Sequence, residues 1–105
     1  MSGLFNYFES LKKINLSNLN TTKVKDMSYL FYNCSSLETI ILENFNTNRV
    51  RNMNEMFAGC SSLKKINLSS FNTNEVTHMS YMFYECSSLK KLNPKWNLYS
   101  LNVHH

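Results

Sequence analysis

The sequence predicts an α/β solenoid of 26-residue period, with short parallel strands on one face and helices on the other. Three observations predict it. Leu11, Leu37, Leu63 and Leu89 stand 26 residues apart, and so do Met27, Met53 and Met79, Phe31, Phe57 and Phe83, and Cys34, Cys60 and Cys86. A fixed period in this range marks stacked units, each too small to bury its apolar side alone. Within each period, a short stretch that alternates apolar and polar residues is followed by a longer one with apolar residues at helical spacing.

The 105 residues divide into a partial N-terminal unit or cap at 1–10, full repeats at 11–36, 37–62 and 63–88, and a C-terminal strand and cap at 89–105. Roughly three units is the minimum for a stable array, so both ends need cover. At the first end, Leu4, Phe5 and Phe8 fall one period before Leu30, Phe31 and Cys34. Residues 1–9 therefore read as the last half of a helix laid over the first coil. Met1, Ser2 and Leu4 also align with Met27, Ser28 and Leu30, so the chain reads as starting partway through a unit of a longer array.

The unit 63–88 shows how each element arises. Ile66 and Leu68 alternate with Lys65 and Asn67, the period of a strand with one buried face. A turn carrying Phe71, or Leu19 and Phe45 in the other units, leads to the next segment. There Val76, Met79, Met82, Phe83 and Cys86 follow offsets that at about 100° per residue fall in one arc, which predicts an amphipathic helix. Thr73 or Asn74, and Thr21 and Thr47 in the other units, are placed to cap it. At the C-terminal end Leu89 and Leu92 keep the strand pattern, but Pro94 stands where Leu16, Leu42 and Leu68 stood and cannot donate to a ladder. Trp96, Leu98, Tyr99, Leu101 and Val103 leave the register and are expected to fold across the open end. A sheet edge left uncovered there predicts weak end-to-end self-association.

The strand motif Leu-x-x-Ile-x-Leu occurs as Leu11-x-x-Ile14-x-Leu16, Leu37-x-x-Ile40-x-Leu42 and Leu63-x-x-Ile66-x-Leu68. It resembles the leucine-rich-repeat signature. The longer pattern Phe-Asn-Thr-x-x-Val-x-x-Met-x-x-Met-Phe-x-x-Cys-Ser-Ser-Leu resembles the 26-residue repeat of BspA-like bacterial surface leucine-rich-repeat proteins, over residues 1 to about 93. The resemblance implies a leucine-rich-repeat solenoid and a cell-surface or secreted protein of adhesion and protein binding. No stretch reaches the roughly 18 apolar residues of a membrane span, and the first residues lack a charged segment followed by an apolar one, so neither export signal nor anchor is read in this chain.

Composition narrows the chemistry. Each of the three cysteines sits on the apolar arc a whole coil from the next, without the close pairs that metal sites use, so they read as reduced, buried small hydrophobes. The methionine column reads as core by the same spacing. His78 shares its position with Asp26 and Asn52, on the solvent side of the expected helix, and His104 and His105 are given no role. Glycine-rich phosphate loops, paired carboxylates and Ser/His/Asp arrangements are absent from the sequence. The expectation is a non-enzymatic protein with no cofactor, no metal and no catalytic residues.

Repeat stacks display their exposed strand positions as aligned columns, and these are the candidate partner-binding residues. One column is Lys13, Thr39, Lys65 and Lys91; the next is Asn15, Ile41, Asn67 and Asn93. A third, Ser17, Glu43 and Ser69, runs beside them. With a net charge of +4, the lysines favour an acidic protein partner. The alternative is a polyanion, an anionic glycan or nucleic acid, held by the lysine strip; a purely structural repeat fragment is the third reading. Nucleic acid is disfavoured, because the recurring aromatics needed for base stacking lie off the strand face.

Overall fold

The structure, a computed structural model, describes residues 1–93. Four strands of three residues recur at the 26-residue spacing: β1 (Lys13–Asn15), β2 (Thr39–Ile41), β3 (Lys65–Asn67) and β4 (Lys91–Asn93). Their central residues, Ile14, Ile40, Ile66 and Leu92, turn into the core, as the apolar-polar alternation requires. β1 pairs with β2 and β3 with β4, both parallel and both offset by one period: Lys13 faces Thr39, and Lys65 faces Lys91. The single sheet expected from the repeat is therefore two two-stranded sheets.

The expected helices do not form, and the α/β solenoid with helices on one face is overturned: among the described residues there is no helix. The reason lies in two backbone positions per coil. Gly3, Tyr29, Glu55 and Tyr81, spaced by one period, have φ of 66, 58, 53 and 57°, and Tyr7, Asn33, Gly59 and Glu85 have φ of 61, 58, 79 and 57°. An α-helix needs φ near −63° throughout, so two left-handed residues four apart exclude it. Instead, consecutive turns form. Leu30, Tyr32 and Cys34 donate their amides to Met27, Tyr29 and Phe31 carbonyls three residues back, at 3.4, 3.1 and 3.1 Å. The alternate amides, those of Met27, Tyr29, Phe31 and Asn33, point along the stack to the Asn52, Asn54, Met56 and Ala58 carbonyls at 2.9, 3.0, 2.9 and 2.8 Å.

This arrangement couples neighbouring coils where a helix would have kept all its bonds to itself. Residues 1–8 follow it too: Gly3, Phe5 and Tyr7 donate to Ser28, Leu30 and Tyr32. The partial unit thus covers the first coil as turns, not as half a helix. At Gly59 the left-handed form has a second constraint, since a Cβ there would strike the Asn33 side-chain oxygen and lie 3.1 Å from its Cα.

Between the strand side and the turn side the coil is held by short polar side chains. Thr21 and Thr47, expected as helix caps, instead clamp coil to coil. The Thr47 hydroxyl donates to Asn72 O at 2.9 Å and accepts from Asn72 N at 2.8 Å; Thr21 does the same with Asn46 at 2.7 and 3.0 Å. Asparagines close the bends by accepting from the backbone two residues on: Asn20 from Thr22, Asn46 from Asn48, Asn72 from Asn74. Isolated parallel bridges join Asp26 to Asn52 and Asn52 to His78, so His78 lies on a bridge column and not on a helix.

The core runs along the stack. Phe5, Phe31, Phe57 and Phe83 form a continuous ring column with centroids 5.7, 5.4 and 5.2 Å apart and planes within 11°. Beside it each cysteine donates its thiol to a carbonyl one coil earlier: Cys34 to Phe5, Cys60 to Phe31 and Cys86 to Phe57, at 3.1, 3.2 and 3.1 Å. All three are free and buried, as the apolar spacing led one to expect. Leu89 and Leu92 extend the core as predicted. Pro94, the tail from Trp96 to Val103, and His104 and His105 lie outside the described residues.

Candidate functional site

The strand face places the predicted columns side by side, in pairs. Lys13 stands opposite Thr39 and Asn15 opposite Ile41; Lys65 stands opposite Lys91 and Asn67 opposite Asn93. Lys13, Thr39, Lys65 and Lys91 are all exposed, and Ile41 is half-buried. Neither column is continuous, because β2 and β3 are neighbours without a ladder.

That break forms a cleft of about 290 Å3 lined by Glu38, Thr39, Ile40, Lys65, Ile66, Asn67 and Lys91. Its floor is apolar, from Ile40 and Ile66, and its rim carries two ammonium groups and one carboxylate. A second hollow beside it, about 120 Å3, continues past Ile41 and Glu43 to Ser69 and Ser70. Lys65 and Lys91 face each other across a parallel pair, where like charges repel. An acidic group placed between them relieves that repulsion.

The turns that follow the strands differ. β1 and β3 end in a turn closed by an asparagine side chain, with Asn15 Oδ1 accepting from Ser17 N and Asn67 Oδ1 from Ser69 N, both at 2.9 Å. Ile41 stands at that position in β2 and has no oxygen to offer. The turn after β2 takes another form, with Asn44 at φ 63°, whereas neither Asn18 nor Ser70 is left-handed. Ser70 Oγ donates to Leu42 O at 2.8 Å, a carbonyl that also accepts from Phe45 N at 3.1 Å. Asn15 and Asn67 are thereby turn-closing residues, their carbonyl oxygens engaged. Glu38, Ile40 and Ile66, which line the cleft, are absent from the sequence-predicted set, and no signal in the repeat singles them out.

The opposite, turn side carries the aromatics. Tyr29 and Tyr32, and Tyr81 and Tyr84, meet edge to face with centroids 5.4 Å apart, and Tyr7 meets Tyr32 at 5.6 Å. The Tyr29 hydroxyl is held above its ordinary pKa by a hydrogen bond to Glu55 and by that carboxylate's charge. In the core, burial pushes the thiols up, Cys86 to about 12 and Cys60 further, which suppresses the thiolate that nucleophilic chemistry needs. His78 is exposed, with Nδ1 2.9 Å from the Thr77 hydroxyl. Among the described residues no three His, Cys, Asp or Glu side chains converge, and no helix is long and apolar enough to cross a membrane.

A family model described as "Mycoplasma protein of unknown function, DUF285" matches residues 1–105. The chain belongs to the DUF285 family. No curated protein and no solved structure matches it. For this DUF285 chain the strand-face cleft and its lysines are thus read from their own geometry.

Proposed function

We propose that this DUF285 chain is a non-enzymatic protein-binding module of the adhesion type, akin to BspA-like surface leucine-rich-repeat proteins, whose strand face takes an acidic segment of a protein partner outside the cell. The observation that carries the reading is the cleft between β2 and β3, where Lys65 and Lys91 flank an apolar floor of Ile40 and Ile66. A floor of this kind suits the aliphatic stem of a glutamate or aspartate side chain, with its carboxylate held between the two ammonium groups. Glu38 on the same rim adds an acceptor for a peptide amide. The strand motif and the parallel, one-period register of the strands support the kinship.

Binding of a Glu/Asp-rich peptide of about a dozen residues to the immobilised chain tests this. Replacing Lys13, Lys65 and Lys91 together by alanine removes up to three exposed charge pairs of roughly 0.5–1 kcal/mol each, and so weakens binding about 10-fold or more. Equal affinity of the triple variant and the wild type refutes the strand-face reading.

A further inference from the structure

A second charged site lies away from the strand face, at the corner between the threonine clamp and the turn side. Lys23 and Arg49 occupy one repeat position and Lys25 and Arg51 another; in the third coil these positions hold Glu75 and Thr77. Between them runs Val24, Val50 and Val76. Val50 is fully buried and the other two are half-buried. Lys23 and Arg49 sit in turns closed by the Val24 and Val50 amides on the Thr21 and Thr47 carbonyls at 3.1 and 3.0 Å, Lys25 and Arg51 follow the valines, and all four side chains are exposed.

The backbone fixes the spacing. Arg51 and Asn52 donate their amides to Lys25 O at 2.8 and 3.3 Å, and Thr77 and His78 donate to Arg51 O at 2.8 and 3.1 Å. The loop before the corner is closed by Asn46 Oδ1, which accepts from Asn48 N at 2.9 Å. Lys25, Asn48, Arg49, Arg51 and Glu75 together line a cleft of about 160 Å3.

We propose that this corner binds an oxyanion, a sulfate or phosphate ester, carried on a glycan. Lys25 and Arg51 on neighbouring coils, with Arg49 beside them, repel one another; the Glu75 carboxylate in the lining offsets part of that cost and a bound oxyanion offsets more. Both arginines of the chain are here, and the planar guanidinium fork matches a tetrahedral oxyanion with two parallel bonds, which lysine cannot copy. The rest of the lining suits sugar hydroxyls: Glu75 accepts, and Asn48, whose Oδ1 already takes a bond from Asn72 Nδ2 at 3.2 Å, offers its amide protons. No aromatic ring lines the cleft, so it lacks the platform on which nucleic-acid bases stack.

The test uses a heparin tetrasaccharide for the sulfate ester, a phosphomannan oligosaccharide for the phosphate ester, and an oligothymidylate of matched charge. Titration into the wild type is expected to show binding of at least one glycan more tightly than of the oligothymidylate, and which glycan binds names the ester. Arg49→Ala with Arg51→Ala is expected to weaken glycan binding about 10-fold or more. The charge-conserving Arg49→Lys with Arg51→Lys pair is expected to weaken it about 3-fold, because the fork is lost and the charge kept. Lys65→Ala with Lys91→Ala is expected to leave it within about twofold, which separates this corner from the strand face. All positions are exposed, and unchanged thermal unfolding confirms that the variants fold. The proposal is overturned by no binding of either glycan, by tighter binding of the oligothymidylate, by an alanine pair within twofold of wild type, or by an equal loss in the Lys65/Lys91 variant.

Discussion

The phenylalanine column offers a quantitative check on coil stacking. Phe57 is fully buried between Phe31, 5.4 Å away at 10°, and Phe83, 5.2 Å away at 2°. Replacement by leucine keeps most of the apolar volume and removes both ring contacts, each about 0.5–1.5 kcal/mol beyond area burial. Phe57→Leu is therefore expected to cost about 1–3 kcal/mol, a large share of the roughly 5–15 kcal/mol that a domain of this size has. Alanine is avoided because its cost of about 3–5 kcal/mol approaches the whole stability. The sharper quantity is the coupling between neighbours. Phe31→Leu and Phe57→Leu each abolish their shared stack, so the double variant loses it once, and its destabilisation falls short of the sum by about 0.5–1.5 kcal/mol. Urea unfolding of the four proteins gives this coupling from midpoints and slopes. A second cycle on Phe45 and Phe71, 5.8 Å apart at 20°, is expected at the lower end of that range. Additivity of Phe31 and Phe57 to within about 0.3 kcal/mol refutes direct stacking of successive coils.

Three further outcomes follow from single contacts. Thr47→Val keeps the shape but strips Asn72 of both a donor and an acceptor partner, and is expected to cost about 1–3 kcal/mol in urea unfolding; Thr47→Ser recovers most of it, and a Thr47→Val protein as stable as wild type contradicts the clamp. The buried thiols make stability fall in alkali: an unfolded thiol loses its proton near the ordinary value of 9.0, while Cys86 keeps its own up to about 12 and Cys60 beyond that. Their contribution is thus whole below pH 9 and declines above it by about 1.4 kcal/mol per pH unit for each thiol. Comparison of urea midpoints at pH 8 and pH 10 between wild type and Cys60→Ala with Cys86→Ala isolates this slope, and identical pH dependence of the two proteins counts against it. Ile41→Asn supplies a turn-closing oxygen like those of Asn15 and Asn67 and is expected to bond the amide two residues on, seen as slowed hydrogen exchange at Glu43; unchanged exchange there contradicts the turn-closing role of the asparagines.

The 26-residue period located the strands, the buried phenylalanines, methionines and cysteines, and the lysine columns, because burial and register repeat together. It predicts a helix over 24–34 because a run of turns that packs Val24, Met27, Leu30, Phe31 and Cys34 inward shows the same apolar spacing as one helical face. The contrary signal was sparse: both glycines of the chain, Gly3 and Gly59, fall on the two left-handed columns, and Asn33 joins one of them. Tyrosine and glutamate at the remaining left-handed positions gave no warning, since such residues avoid that region unless neighbouring coils impose it. The threonine clamps look like caps in the sequence for a related reason: the same hydroxyl serves either role, and only the neighbouring coil decides. The strand-face columns are legible individually. The cleft between β2 and β3 is not, because a strict period predicts an unbroken sheet where the chain forms two pairs.

Hydrogen-bond scalar couplings measured by NMR on isotope-labelled protein distinguish inter-coil turns from helices bond by bond. Couplings are predicted from the Phe31 amide nitrogen to the Met56 carbonyl carbon, and from Phe57 to Met82, the 2.9 Å bonds that tie each coil to the next. Couplings from Phe31 to Met27 and from Phe57 to Met53, four residues back along the same coil, contradict them.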